Sequence, residues 1–410
     1  MVKYNLILYL LSPYFLLSII FDSIKKGGGL RFILQRLGLV SFKKFSSTIW
    51  LHAASIGETK LAILLYKKLK SLNPSKSFLI TTNTESSSKL VRDLNDVELQ
   101  HSFLPVDWFY TMNRFAAAVS PKICIIIETE IWPNLLHRCK QNNIQSIIVN
   151  ARLSKKTTNK PRLIKDVYKN ALGNLSKILC KSNLEKEKYI ELGAPENKIS
   201  VVGNLKFADY MSIQNTTSLI KRKYILAAST HHDEEGQIIR EWLKLKEKKL
   251  LLVIVPRHPE RLGEILAQIP LSDVRISIRS KNEKINEKTQ VYIADTYGEL
   301  NQWIEHCEFV FMGGSLVDHG GQNFLEAALH SKAIIVGPYM YNFIAETEEF
   351  LKKSAILMIK EVSMLKNVFE KLIRSRNKRE IFGNNAKKLL DSKKDILNDY
   401  CKHIQSLLKE

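Results

Sequence analysis

From about Thr48 onward, short β-branched runs alternate with helix-length amphipathic windows, and any fold for this chain has to satisfy that alternation first. TIWLHAA, KSFLITT, KICIIIE, IQSIIVN and KILCKS read as strands. Strands and helices in strict alternation build a parallel sheet with helices on its faces. Across residues 208–222 the pattern lapses into ADYMSIQNTTSLIKR, polar and without period, and then restarts as KYILAAS, KLLLVIVP, QVYIAD, EFVFM, KAIIVG and AILMI. The prediction is an α/β protein with two Rossmann-like domains, 23–207 and 223–410, joined by the linker 208–222 and facing a cleft at the carboxyl ends of their strands. A length of 410 residues agrees, since one core does not ordinarily grow that large. The last forty residues read as lysine-rich helix, of the kind that often crosses back onto the first domain.

The N-terminus carries a different signal. Tyr4 to Phe21 hold no charge over 18 positions, and as one helix they would extend roughly 27 Å, close to the ~30 Å of a bilayer core. Pro13 would kink such a helix, which membrane helices tolerate. Only Lys3 precedes the run, whereas Lys25, Lys26, Arg31, Arg36, Lys43 and Lys44 follow it. The positive-inside rule then places everything after residue 22 in the cytoplasm. Residues 1–22 are therefore expected to be an uncleaved anchor of the inner (cytoplasmic) membrane, spanning it or lying in its inner leaflet.

The net charge of +21 asks for an anionic partner: nucleic acid, a membrane surface or an acidic substrate. The five cysteines stand singly and in odd number, which excludes a disulfide framework and fits a reducing compartment. No RNP-like aromatic pattern, zinc knuckle or helix-turn-helix spacing supports nucleic acid.

In an open α/β sheet, chemistry sits just past the strand ends. AASIGE sets Ser55, Gly57 and Glu58 at the mouth of a helix; a carboxylate there can serve as general base, or simply favour the helix dipole. ETEIWPN sets Glu128 and Glu130 on one face beside Trp132 and Pro133. NARLSKK offers Asn150, Arg152 and Ser154, and GNLKFAD ends the first half at Lys206. In the second half, AASTHHDEE supplies Ser229 and Thr230, VIVPRHPERL places Arg257 and His258 after a buried strand, and DTYGELNQW offers the amides of Gly298 and Glu299. Arginine presents a forked, permanently charged donor set suited to phosphate or carboxylate. Residues 313–338, GGSLVDHGGQNFLEAALHSKAIIVGP, read as a glycine loop closing onto a helix from about Asn323. Such a helix mouth suits a phosphate, with Glu326 of the type that binds ribose hydroxyls. His231, His232 and Asp233 lack a third ligand at fitting spacing, so a structural zinc is excluded.

HAASIGE, ETEIWPN, NARLS, GNLKF, STHHDEE, PRHPER, DTYGEL and GGSLVDHGGQNFLEA, in this order over some 300 residues, resemble the 3-deoxy-D-manno-octulosonic acid (Kdo) transferases. Each motif is weak alone; eight in series are specific. The resemblance implies a GT-B glycosyltransferase that moves Kdo from CMP-Kdo to the 6′-hydroxyl of lipid IVA, with inversion, in lipopolysaccharide core synthesis. It implies Glu58 as proton acceptor and Glu128 and Lys206 as transition-state stabilisers. CMP would lie against Pro256, Arg257, Tyr297, Gly298, Glu299, Asn323, Phe324, Leu325 and Glu326, without metal or other cofactor. Gln322 stands where the family pattern has His, and Ala208 loosens the GNLKFD spacing. The alternative is another membrane-associated GT-B transferase using a UDP-sugar.

Overall fold

The apolar runs become strands where their side chains are buried on both faces. In a computed structural model, describing residues 1–25, 28–39, 48–158, 160–210, 216–246, 250–269 and 274–409, the chain divides into two units. One is Met1–Asp209 with Asp395–Glu410, the other Tyr210–Lys394. Lys26, Lys43 and Lys44 of the basic flank, and linker positions 211–215, lie outside the described residues.

The first unit holds a seven-stranded sheet in the order β3-β2-β1-β4-β5-β6-β7, all parallel. Its strands are β1 (Thr48–Ala53), β2 (Phe78–Thr82), β3 (Leu99–Phe103), β4 (Pro121–Ile127), β5 (Gln145–Ala151), β6 (Lys177–Cys180) and β7 (Ile199–Val201). The second unit has a related seven-stranded parallel sheet, with β10 outside β11, in the order β10-β11-β9-β8-β12-β13-β14. These are β8 (Tyr224–Thr230), β9 (Leu251–Pro256), β10 (Ile276–Ile278), β11 (Val291–Ile293), β12 (Phe309–Met312), β13 (Ala333–Val336) and β14 (Leu357–Met358). Ile123 to Ile127 are wholly buried, as a parallel sheet covered on both faces requires. Strands β3, β7 and β10 were not legible as strands. They are short and at sheet edges, where burial on fewer sides tolerates polar residues such as those of LQHSF.

In each sheet the chain moves outward from a central strand and then returns to that strand's other side, at β1/β4 and at β8/β12. The crevice beyond the carboxyl ends at such a reversal is where α/β sheets bind ligands.

The N-terminal expectation of one long helix is corrected. Val2–Leu10 (α1) and Ser12–Lys25 (α2) are separate helices bent by 58°, and among the described residues no single helix is long and apolar enough to cross a membrane. The break falls just before Pro13, which has no N–H to donate and whose ring crowds the preceding turn. A third helix, α3 (Gly29–Arg36), folds back onto α2. Ile19 and Phe32 pack inward on Phe103, Val106 and Trp108, while Leu10, Leu17, Phe21, Ile24 and Leu30 are more than half exposed. The terminal helix Ile396–Lys409 belongs to the first unit, not to the 223–410 domain drawn from sequence. Its buried face of Ile396, Tyr400, Cys401, Ile404 and Leu407 explains this, with the Tyr400 hydroxyl donating to Gly203 O at 2.8 Å.

Candidate active site

Ser55 and Glu58 form a reciprocal cap on α4 (Ile56–Leu72). Glu58 N donates to Ser55 Oγ at 3.3 Å, and Glu58 Oε2 accepts from Ala54 N at 2.7 Å. The side chain thereby sits just past β1, at the reversal point, and is 7% exposed. Burial raises its pKa to about 7, with the neighbouring charges of Glu128 and Glu130 adding to the effect and the two capping bonds opposing it. The same carboxyl thus both caps the helix and has a pKa near neutrality.

Glu128 closes β4 with a left-handed φ of 63°, a strained conformation that persists only where the surroundings over-determine it. The surroundings do so. Arg152 Nε lies 2.9 Å from Oε2 and Lys206 Nζ 3.4 Å from Oε1. Asn150, itself at φ 53°, donates from Nδ2 to Oε1 at 3.2 Å and accepts Leu205 N at 2.9 Å. The predicted pair Glu128 and Lys206 is therefore brought together, and Asn150 and Arg152 complete the cluster. Glu130 is held above the ordinary carboxylate range by burial, against the nearby charge of Arg36. Arg36 was read from sequence only as a flank charge. It reaches in from α3 to Asn83 Oδ1 at 3.3 Å and to Leu104 O.

In the second unit a carboxylate from elsewhere in the chain holds the start of the glycine loop. The amides of Gly314, Ser315 and Leu316 donate to the Glu234 carboxylate at 2.6, 2.9 and 2.8 Å. Glu234 opens α6 (Glu234–Leu243), is fully buried, and also accepts His231 N at 2.8 Å. Sequence reading passed over it; its only trace was the doubled Glu after THHD. Next to it, buried Glu235 accepts from Thr230 Oγ1 at 3.0 Å and pairs with Arg261 at 3.4 Å, fixing the PRHPER turn.

Pro256 is buried at the end of β9, whereas Arg257 is exposed and anchored by its own amide to Thr230 O at 2.9 Å. Tyr297 is 73% exposed and its hydroxyl donates to Glu260 Oε2 at 2.6 Å. Gly298 has φ 84°, and the Glu299 carboxylate accepts from Arg279 Nη2 at 2.6 Å. Asn323 Oδ1 accepts Leu325 N at 3.1 Å, opening α7 (Leu325–Leu329), which starts two residues later than expected. Phe324 and Leu325 are core side chains, Phe324 against Phe350 at 5.0 Å, so only their backbone can meet a ligand; Glu326 is half-buried. Gln322 Nε2 lies 2.8 Å from His231 Nε2, and His231 stacks on His319 at 4.3 Å. Burial, then the neighbouring His319, His258, Arg261 and Arg257, lower the His231 pKa to about 4, so its ring is neutral near pH 7.

Residues 32–209 match the family described as 3-Deoxy-D-manno-octulosonic-acid transferase (kdotransferase). The chain is 34% identical to the 3-deoxy-D-manno-octulosonic acid transferase of Haemophilus influenzae over 347 residues, 82% of this chain and 81% of that one. It is 30% identical to the enzyme of the same name from Rickettsia bellii, over 97% of both. A solved glycosyltransferase from Rickettsia africae, 15% identical, superimposes with a TM-score of 0.62 over 90% of this chain and all of that one, a likeness of fold. With both Rossmann-like units of a GT-B protein in place, the chain belongs to the 3-deoxy-D-manno-octulosonic acid transferase family of glycosyltransferases.

Proposed function

We propose that this enzyme transfers Kdo from CMP-Kdo to the 6′-hydroxyl of lipid IVA with inversion. The observation that carries the reading is Glu58: a buried carboxyl raised to about 7, at the reversal point of its sheet, is suited to take a proton from an alcohol at neutral pH. Inversion needs the acceptor hydroxyl to be deprotonated on the face opposite the departing CMP. The Glu128 carboxylate favours the positive charge that develops on the sugar ring as the bond to phosphate breaks. Lys206, 3.4 Å from Glu128, is a cation available to the sugar carboxylate or the departing phosphate. On the second unit the exposed Arg257, the Gly298–Glu299 turn and the Asn323–Glu326 segment are the CMP contacts. They share the carboxyl ends of β9, β11 and β12.

The exposed apolar side of α1, α2 and α3, with Lys25 and Arg31 beside it, supports attachment to an anionic inner-membrane leaflet with both units cytoplasmic. The test is mass analysis of lipid IVA incubated with enzyme and CMP-Kdo, with Glu58→Gln in parallel. The amide oxygen of that variant still accepts Ala54 N, so the cap survives while the base is lost. Wild-type products heavier by one or more Kdo units, absent with the variant, are expected. No product from CMP-Kdo, but turnover of a UDP-sugar, would sink the reading.

A further inference from the structure

The N-terminal helices are joined to the Glu128 loop by a chain of buried polar contacts that membrane attachment alone does not require. Residues 103–107, from the last residue of β3 onward, are stitched to α3 along one side. Phe103 N donates to Gln35 Oε1 at 2.9 Å and Val106 N to Arg36 O at 2.8 Å. The segment ends at Asp107, 2% exposed. Its carboxylate accepts the amides of Asn134 at 3.0 Å and Leu135 at 2.9 Å, in the first turn of α5 (Pro133–Gln141). The hydroxyl of Tyr4, on α1, donates to the same carboxylate at 2.9 Å. Asn134 Nδ2 donates to Asp107 O at 2.6 Å and to Asn5 Oδ1 at 2.7 Å.

We infer that α1 is a positioning element of the transfer site: Tyr4 and Asn5, acting through Asp107 and Asn134, hold the first turn of α5 and with it the Glu128–Glu130 loop. Only residues 129–132 separate Glu128 from α5, so a displacement of that turn is passed to a carboxylate already held in a left-handed conformation. Burial, then Asp107, push the Tyr4 hydroxyl above its usual range, so it remains a donor throughout the working pH range. Neither Tyr4 nor Asn5 touches substrate in this account. The outer side of α1, with Val2, Leu6 and Leu10 exposed, is left for the membrane. The inference rests on the transfer reading only for the role of Glu128.

The experiment compares the full chain with Tyr4→Phe, which deletes one oxygen, and Asn5→Leu, which keeps the branched outline of four side-chain heavy atoms and deletes the acceptor. Three quantities are measured: steady-state transfer in detergent, co-flotation with phosphatidylglycerol-containing vesicles, and hydrogen exchange of the 128–136 amides. Both variants are expected to lose about tenfold in kcat, since a misplaced catalytic group is costly even at sub-ångström scale. KM for CMP-Kdo and co-flotation should stay as in the wild type, and the 128–136 amides should exchange faster. Unchanged exchange with unchanged kcat in both variants overturns the inference. So does a loss of kcat that tracks a loss of co-flotation. Faster exchange in the variants of an enzyme that makes no product from CMP-Kdo would leave the coupling standing and remove the donor assignment instead.

Discussion

If Glu58 is the base, the rate should titrate near neutrality. Moving a carboxyl from its ordinary value of 4.5 to about 7 corresponds to roughly 3 kcal/mol favouring the protonated form. With that pKa, about one-tenth of the enzyme carries ionised Glu58 at pH 6 and about nine-tenths at pH 8, so kcat should rise about tenfold over that interval. An unshifted carboxyl would be almost wholly ionised at pH 6 and the profile flat. Removing the charge of one contributing neighbour, in Glu130→Gln, should move the limb downward, because that charge raises the Glu58 pKa. The same shift has a stability consequence. A carboxyl whose folded pKa lies above its unfolded one favours the fold below about pH 4.5, and that contribution is lost as pH rises through about 7. Glu58→Gln, which resembles the protonated form, should therefore match the wild type near pH 4 and exceed it at pH 8 by up to about 3 kcal/mol, while abolishing transfer. Saturating kcat from pH 6 to 8, together with urea unfolding at pH 4 and pH 8, checks both parts. A flat profile, or a variant no more stable than wild type at pH 8, would refute the burial argument.

Other perturbations probe the second unit. Glu234→Gln places an amide NH2 against two of the four amides that the carboxylate accepts. It should cost about 3 kcal/mol in unfolding and raise KM for CMP-Kdo, because buried donors left without partners cost about 1–3 kcal/mol each; wild-type stability would show the clamp to be idle. Gly383→Ala would put a Cβ 1.9 Å from Ser331 O, backbone against backbone. The helix Arg376–Asp391 must then shift off β13, and a loss of more than about 2 kcal/mol is expected in the same unfolding assay.

Some features of this protein were fixed locally. The alternation of β-branched runs with amphipathic windows determined two parallel α/β units, because a strand buried on both faces leaves a continuous apolar signature such as ICIII. The place of Glu58 in the first turn of its helix was also legible, since a helix mouth favours a carboxylate there. The motif series carried the family.

Tertiary structure decided the rest, through contacts between residues far apart in the chain. Nothing local in GGSLV says that its amides belong to Glu234, some eighty residues earlier, rather than to a phosphate. Glu128, Asn150, Arg152 and Lys206 become one cluster only when β4, β5 and the turn after β7 are laid side by side. Phe324 and Leu325, ligand contacts by motif, bury their side chains in the core, which leaves only their backbone for a ligand. The charge-free N-terminal run reads as one span because hydropathy does not register direction. Pro13 breaks it, and Tyr4 and Asn5 turn its inner side into a partner of Asp107 and Asn134, more than a hundred residues away in the chain. Hydropathy and spacing report what a segment can bury; which donor meets which acceptor is settled only when the sheets assemble.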